Sequence, residues 1–341
     1  MTGVQIKAVA PDDDGIRLDR WFKAHFPDLR HGQLEKLLRK GQIRVDGGRV
    51  KSNSRLQAGQ SVRVPPYEAI EGSGSPKQSP RISAAQSSEA QRRIQEMVVF
   101  EDDALLAINK PSGLAVQGGT GTKQHLDRLL LEAFGEEKRP KLVHRLDRDT
   151  SGLLILAKSR AAAAKLSEVF RLRRIEKTYL ALTAGVPEVK EGTIAAPLSK
   201  LVSENQNDER EKMGHDDDHG KKAITDYMTL DTAGPVGFLA LKPVTGRTHQ
   251  LRVHTAMMDT PIIGDGKYGG AGSFVEGVDK SLHLHCLALS FPHPTTGRYV
   301  HLSAEVAGHM AVSCAFFNFR VPESVDWPDI KAQIRKKMRK R

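Results

Sequence analysis

HRLDRDTSGLLILAK, residues 144–158, runs a histidine, two arginines and two aspartates straight into an uninterrupted apolar segment. A short apolar run without alternation predicts a strand buried on both faces. The charges ahead of it predict a polar loop at the end of a buried sheet. Working outward, SRAAAAKLSEVFR (159–171) has helical spacing, while LLAIN (105–109), KTYLALTAG (177–185) and GFLALKPV (237–244) read as further strands. RTHQLRVHTAMM (247–258) predicts a helix with Leu251, Thr255 and Met258 on one face; strands follow at LHLHCLALSF (282–291) and YVHLSAEV (299–306). Helices and strands do not alternate regularly. The expected class is therefore α+β, a mixed and largely antiparallel sheet instead of a doubly wound one.

Ahead of this domain lies a small basic unit. Leu18, Trp21, Phe22 and Phe26, then Leu34, Leu37 and Leu38, recur at helical spacing and predict two short helices. IRVDGGRV (43–50) alternates around Asp46-Gly47-Gly48 and predicts a hairpin, with more strand at QSVRV (60–64). Gly, Ser, Pro, Gln and Ala then dominate, as in a linker. The expected organisation is a tail (1–15), a small α/β domain (16–66), a linker (67–93), a larger domain (94–322) and a basic tail (323–341).

The chain has 341 residues, 39% of them apolar, enough for two domains with real cores. Lys and Arg total 52 against 41 Asp and Glu, a formal net charge of +11. An excess of this sign points to a polyanionic partner as readily as to mere solubility. Arg39, Arg44, Arg49 and Lys51 crowd the small unit, a composition that suits phosphate contacts. Two cysteines form no disulfide framework and have no paired zinc spacing, which predicts buried thiols in a reducing compartment. No apolar run reaches the roughly 20 residues that span a bilayer. The N-terminus lacks signal-peptide character, so the expected location is cytoplasmic. SENQNDEREKMGHDDDHGKK (203–222) reads as a solvated loop, since consecutive aspartates project in different directions and nothing rigid fixes them as metal ligands.

In the opening segment Asp147 lies between Arg145 and Arg148. By itself that is an ordinary capped turn. A second charged turn, KPVTGRTHQLRVH (242–254), makes Arg247 a possible partner for Asp147 if the two turns meet, and such a pair keeps the carboxylate ionised. Tyr179, Ala181 and Thr183 share one face of their strand; Tyr179 is either a core ring or the wall of a site.

HRLDRDTSGLLILAKS, EKTYLALTAG and LKPVTGRTHQLRVH together resemble, in order and separation, the signature segments of the RluA-type pseudouridine synthases, and NKPSGLAV resembles the first of them. Residues 16–64 resemble the small RNA-binding domain of ribosomal protein S-four, placed as in the RluC and RluD subgroups, with the RluC type the nearer. The resemblance implies isomerisation of uridine to pseudouridine in large-subunit ribosomal RNA by a monomer with no cofactor and no metal. It implies Asp147 as the catalytic aspartate, by attack on the anomeric carbon or removal of a ribose proton. Arg247 would be its arginine partner, and Tyr179 would stack on uracil and help take the proton from carbon five. A phenol with a pKa near ~10 needs local help for that. Arg145 would fill the gap left by a flipped nucleotide. Lys177 would support the site and Arg39, Arg44, Arg49 and Lys51 would bind RNA, while His144 would order the turn or touch RNA. Three other readings stand beside this one: a relative with different target uridines, a noncatalytic ribosome-assembly factor, and a hydrolase using Asp147 and Asp149 as a carboxylate pair.

Overall fold

The computed structural model describes residues 3–29, 31–66, 82–118, 124–201 and 212–327. The chain divides into two units, 1–81 and 82–341.

In the first unit β1 (Gln5–Ala8), α1 (Leu18–His25), α2 (His31–Arg39), β2 (Arg44–Val45) and β3 (Ser61–Val64) surround a small core. Leu18, Trp21 and Phe22 of α1 are buried, because their spacing sets them on one stripe, and Leu34, Leu38, Ile43, Leu56 and Val62 close over them. The sheet order is β1-β3-β2. One expectation is corrected here: the N-terminal tail contains β1, whose four residues QIKA are all exposed. The tight turn expected in IRVDGGRV forms, with Val45 and Gly48 exchanging backbone hydrogen bonds across Asp46 and Gly47 at φ +48° and +77°, but the bridge ends there and β2 pairs along its length with β3, Arg44 and Val45 opposite Arg63 and Val62.

The second unit begins with α3 (Ala84–Gln95), inside the stretch read as linker. Its start is a capping box between Ser83 and Gln86, and Ala90 and Ile94, four apart, bury the stripe. The polar composition hid a helix whose signals were local. Residues 67–81 lie outside the described residues. There follow β4 (Val98–Glu101), β5 (Leu105–Lys110), α4 (Leu126–Lys138), β6 (Lys141–Leu142), β7 (Ser151–Ala157), α5 (Arg160–Arg171) and β8 (Glu176–Ala184). Next come β9 (Glu191–Ala195), β10 (Leu198–Leu201), β11 (Lys212–His215), β12 (Ile224–Ala233) and β13 (Val236–Pro243), then α6 (Gln250–Met257), β14 (Leu284–Pro292), β15 (Tyr299–Ser303) and α7 (Gly308–Phe316). Part of the expected 203–222 loop is thus strand β11, paired with β10; residues 202–211 lie outside the described residues. The chain also packs beyond 322, with Val325 and Trp327 against the core, and residues 328–341 lie outside the described residues.

The large sheet runs β4-β5-β7-β14-β8-β13-β12-β9, with β6 on β7 and β15 on β14. Every pairing is antiparallel except β7 with β14, which is parallel and only two residues long. The expected mixed, largely antiparallel α+β sheet is what forms. Strand β7 is buried at every position, as its unbroken apolar run requires. Along β8, Leu180 and Leu182 face α7 residues Met310 and Cys314, whereas Ala181 faces Leu251 of α6.

The parallel step depends on Gly152. At φ +105°, a Cβ there would lie 2.3 Å from the Cys286 carbonyl oxygen. Only glycine lets β7 approach β14 closely enough to pair, and this sets the Asp147 turn opposite β8.

Candidate active site

The HRLDRDTSG turn is held from behind. Nε2 of His144 accepts the Ile155 amide at 2.9 Å, and its ring stacks on Phe170. Burial, helped by the nearby Lys177 charge, pushes the His144 pKa down to about 3, so the ring is a neutral acceptor that orders the turn. The Lys110 ammonium is buried and donates to the carbonyls of Pro111, Leu114 and Arg148, each at 2.9 Å. Burial draws its pKa down to about 8, against the opposing pull of Asp149 and Asp147. The Ser112 hydroxyl donates to the Asp149 carbonyl, and Leu146 and Thr150 on either side of Asp147 are buried. With both neighbours anchored, the Asp147 carboxylate faces a cavity.

The second wall is the turn into α6. Gln250 fixes it with four hydrogen bonds: its carbonyl accepts from Thr245 Oγ1 and the Arg247 amide, and its amide donates to the Ile224 carbonyl and Thr225 Oγ1. Arg252, one turn into the helix, makes two hydrogen bonds to buried Asp265 at 2.8 and 2.7 Å and lies over the Tyr268 ring. Burial works against its charge, but Asp265 and the Asp147 carboxylate outweigh it and hold its pKa above the ordinary value.

Strand β8 supplies the floor, where Lys177 and Tyr179 emerge from one face. Burial lowers the Lys177 pKa, and Nζ lies 5.3 Å over the Phe170 ring. Tyr179 packs against both halves of the core and still borders the cavity, so the two readings of its ring are both met. Burial, the Cys286 thiol across the ladder and the Asp147 charge all raise its pKa well above 10. The phenol keeps its proton.

The cavity encloses about 190 Å³ and brings together Arg145, Asp147, Lys177, Tyr179, Arg247, His249 and Arg252. The two charged turns therefore meet, but not through the expected pair. Nε of Arg247 donates to the Lys222 carbonyl at 3.1 Å. Among the described residues the one basic side chain within 4.0 Å of the Asp147 carboxylate is His249, with Nε2 at 3.7 Å from Oδ2. Arg247 precedes α6, and its side chain leans toward the start of β12; Arg252 projects from the helix itself. Arg145 is exposed at the rim. Asp149 pairs with Arg148 and does not line the cavity, so no two-carboxylate arrangement forms.

His249, Arg252, Asp265, Tyr268 and Lys110 were not singled out from sequence. Three of them, His249, Arg252 and Lys110, sit inside quoted segments, and only the path of the chain reveals their partners. Of the basic residues in the first unit, Arg39, Arg49 and Lys51 are exposed. Arg44 is instead tied to the Gly41 and Gly47 carbonyls and holds the turn. Among the described residues no cluster of His, Cys, Asp or Glu is placed to hold a metal ion, and no helix is long and apolar enough to cross a membrane.

Residues 104–257 match the family described as RNA pseudouridylate synthase. The chain is 35% identical over 312 residues to the ribosomal large subunit pseudouridine synthase C of Salmonella typhimurium, covering 88% of this chain and 92% of that protein. Its counterpart in Escherichia coli K12 is 34% identical with the same coverage. Two solved human structures are similar. RNA pseudouridylate synthase domain containing 4 gives a TM-score of 0.57 at 25% identity, covering 70% of this chain and 99% of that one. Domain containing 1 gives 0.52 at 29%, covering 62% and 83%.

Proposed function

The chain belongs to the RNA pseudouridylate synthase family, and from that premise we propose that it isomerises uridines of large-subunit ribosomal RNA with Asp147 as the catalytic carboxylate. The observation that carries this reading is Asp147, the one carboxylate among the described residues that line a cavity of about 190 Å³, in a chain 35% identical to a ribosomal large subunit pseudouridine synthase C.

A base inside a helix is out of reach, so the target nucleotide is flipped into the cavity. Arg145 at the rim takes the space it leaves, since a planar cation stacks well among bases. Asp147 then assists cleavage of the bond from C1′ to N1, either by attack on C1′ or by removal of the C2′ proton. Rotation of the uracil follows, and bonding of C5 to C1′ displaces the Asp147 oxygen on the first route or comes with return of the proton to C2′ on the second; the C5 proton is lost and N1 gains one, so the product is an isomer and no oxidant is consumed. Arg252 supplies standing positive charge near Asp147, the part first expected of Arg247. Tyr179 supports the uracil with its ring. Because its phenol stays protonated, the C5 proton leaves to another acceptor. Lys177 adds charge behind the floor.

The first unit, with Arg39, Arg49 and Lys51 exposed, binds RNA in the manner of an S-four domain. The protein acts as a cytoplasmic monomer. Pseudouridine mapping of ribosomal RNA from wild-type cells, a deletion strain and an Asp147→Asn strain tests the reading. Sites lost in both mutants are expected; retention of every site in both would leave a noncatalytic assembly factor.

A further inference from the structure

Two features around the α6 turn have no part in the scheme above. The first is the His249 backbone, at φ +52°, a left-handed conformation that costs a histidine free energy. The second is a chain of contacts reaching Asp147 from strand β11. The Met213 amide, which can only donate, donates to Oη of Tyr268 at 3.1 Å. Oη lies 2.6 Å from Nδ1 of His249, and Nε2 of the same ring lies 3.7 Å from Oδ2 of Asp147.

We propose that His249 is a positioning residue for Asp147: Tyr268 donates its hydroxyl proton to Nδ1, which keeps the imidazole proton on Nε2, aimed at Oδ2. This rests on Asp147 being the catalytic carboxylate. With the Met213 amide already accepted, the Tyr268 proton is satisfied by pointing at Nδ1. The hydrogen bond at one ring nitrogen of a histidine decides where the proton of the other resides. Burial disfavours a second proton on His249, Asp147 pulls the other way, and Arg252 and Lys267 oppose it, with Asp265 a lesser attraction. Burial and the two cations outweigh the two carboxylates, which leaves a neutral ring with one proton beside the anion.

The gap of 3.7 Å is longer than a hydrogen bond, as catalytic contacts often are before substrate binds. Closing it engages Oδ2 and leaves the other carboxylate oxygen to react. The left-handed backbone is what points the ring this way, between Tyr268 and Asp147, while the helix begins behind it.

The test uses the full chain and a transcript of large-subunit ribosomal RNA under single-turnover conditions. His249→Ala and His249→Asn should slow the reaction about 10–100-fold with RNA affinity within about twofold of wild type. His249→Gln, whose amide nitrogen reaches the Nε2 position, should return to within about fivefold. Tyr268→Phe should slow the reaction about tenfold, and imidazole nitrogen NMR should show the Nε2–H tautomer in the wild type and a mixture in that variant. An Nδ1–H tautomer in the wild type, or full activity in His249→Ala, would overturn the proposal; should His249→Ala not fold, the tautomer of the wild type and of Tyr268→Phe still decides it. Asp147→Asn separates the levels: if it remains active the catalytic reading fails, whereas if it is inactive and His249→Ala is not, only the positioning role fails.

Discussion

Lys110 and Arg148 are joined by a hydrogen bond of 2.9 Å from a buried ammonium to a backbone carbonyl, and that bond fastens the end of β5 to the residue after Asp147. With the Pro111 and Leu114 carbonyls it makes one cation the common donor for two loops.

Lys110→Met keeps the volume and removes the donor, leaving three carbonyls without it. The expected loss is about 3 kcal/mol of unfolding free energy, read by urea denaturation, with a slower reaction because the Asp147 turn is loosened.

Arg252→Ala should reduce the single-turnover rate by more than about 100-fold, and Arg247→Ala by less than about tenfold. Arg252 is oriented by a buried carboxylate and feels the Asp147 charge, whereas Nε of Arg247 is engaged by the Lys222 carbonyl. Equal effects would restore Arg247 to the role first expected of it.

Between pH 6 and 9 the rate profiles of the wild type and of Tyr179→Phe should run parallel, because burial and Cys286 keep the phenol protonated throughout. A basic limb that disappears in the variant would mean that Tyr179 titrates after all.

His283 is buried, and burial with the neighbouring His309 charge lowers its pKa to about 4. Its folded value lies below the unfolded one, so the unfolded chain takes up the proton first on acidification. The stability tied to its neutral form is fully present above about pH 6.5 and is lost as pH falls toward 4, roughly 3 kcal/mol in all. His283→Asn should flatten the fall in melting temperature across that window.

Much of the frame was legible because local pattern and final environment agree. The unbroken run at 153–157 became a strand buried on both faces, and Ser159 capped the helix that follows, accepting the Ala162 amide. Helix α3 escaped because composition spoke louder than its capping box. Within the site, Asp147, Tyr179, Lys177, Arg145 and Arg247 do share one cavity. What the pattern did not show is that Arg247 turns to the Lys222 carbonyl while Arg252 is fixed by Asp265, thirteen positions beyond it and brought back only by the tertiary path. The His249 orientation likewise depends on a positive φ that no residue pattern announces.

Strands β9 and β12 are ladder neighbours, Ala195 opposite Ile224, although the β10–β11 hairpin and residues 202–211 intervene in sequence. An excursion between two already paired strands can lengthen or shorten without breaking a rung, and each doubling of a flexible loop costs only about 0.6 kcal/mol. A change of length between β10 and β11 thus leaves the β9–β12 rungs in place, whereas β11 itself, whose Met213 amide meets Tyr268 beside Asp147, is anchored to the chemistry.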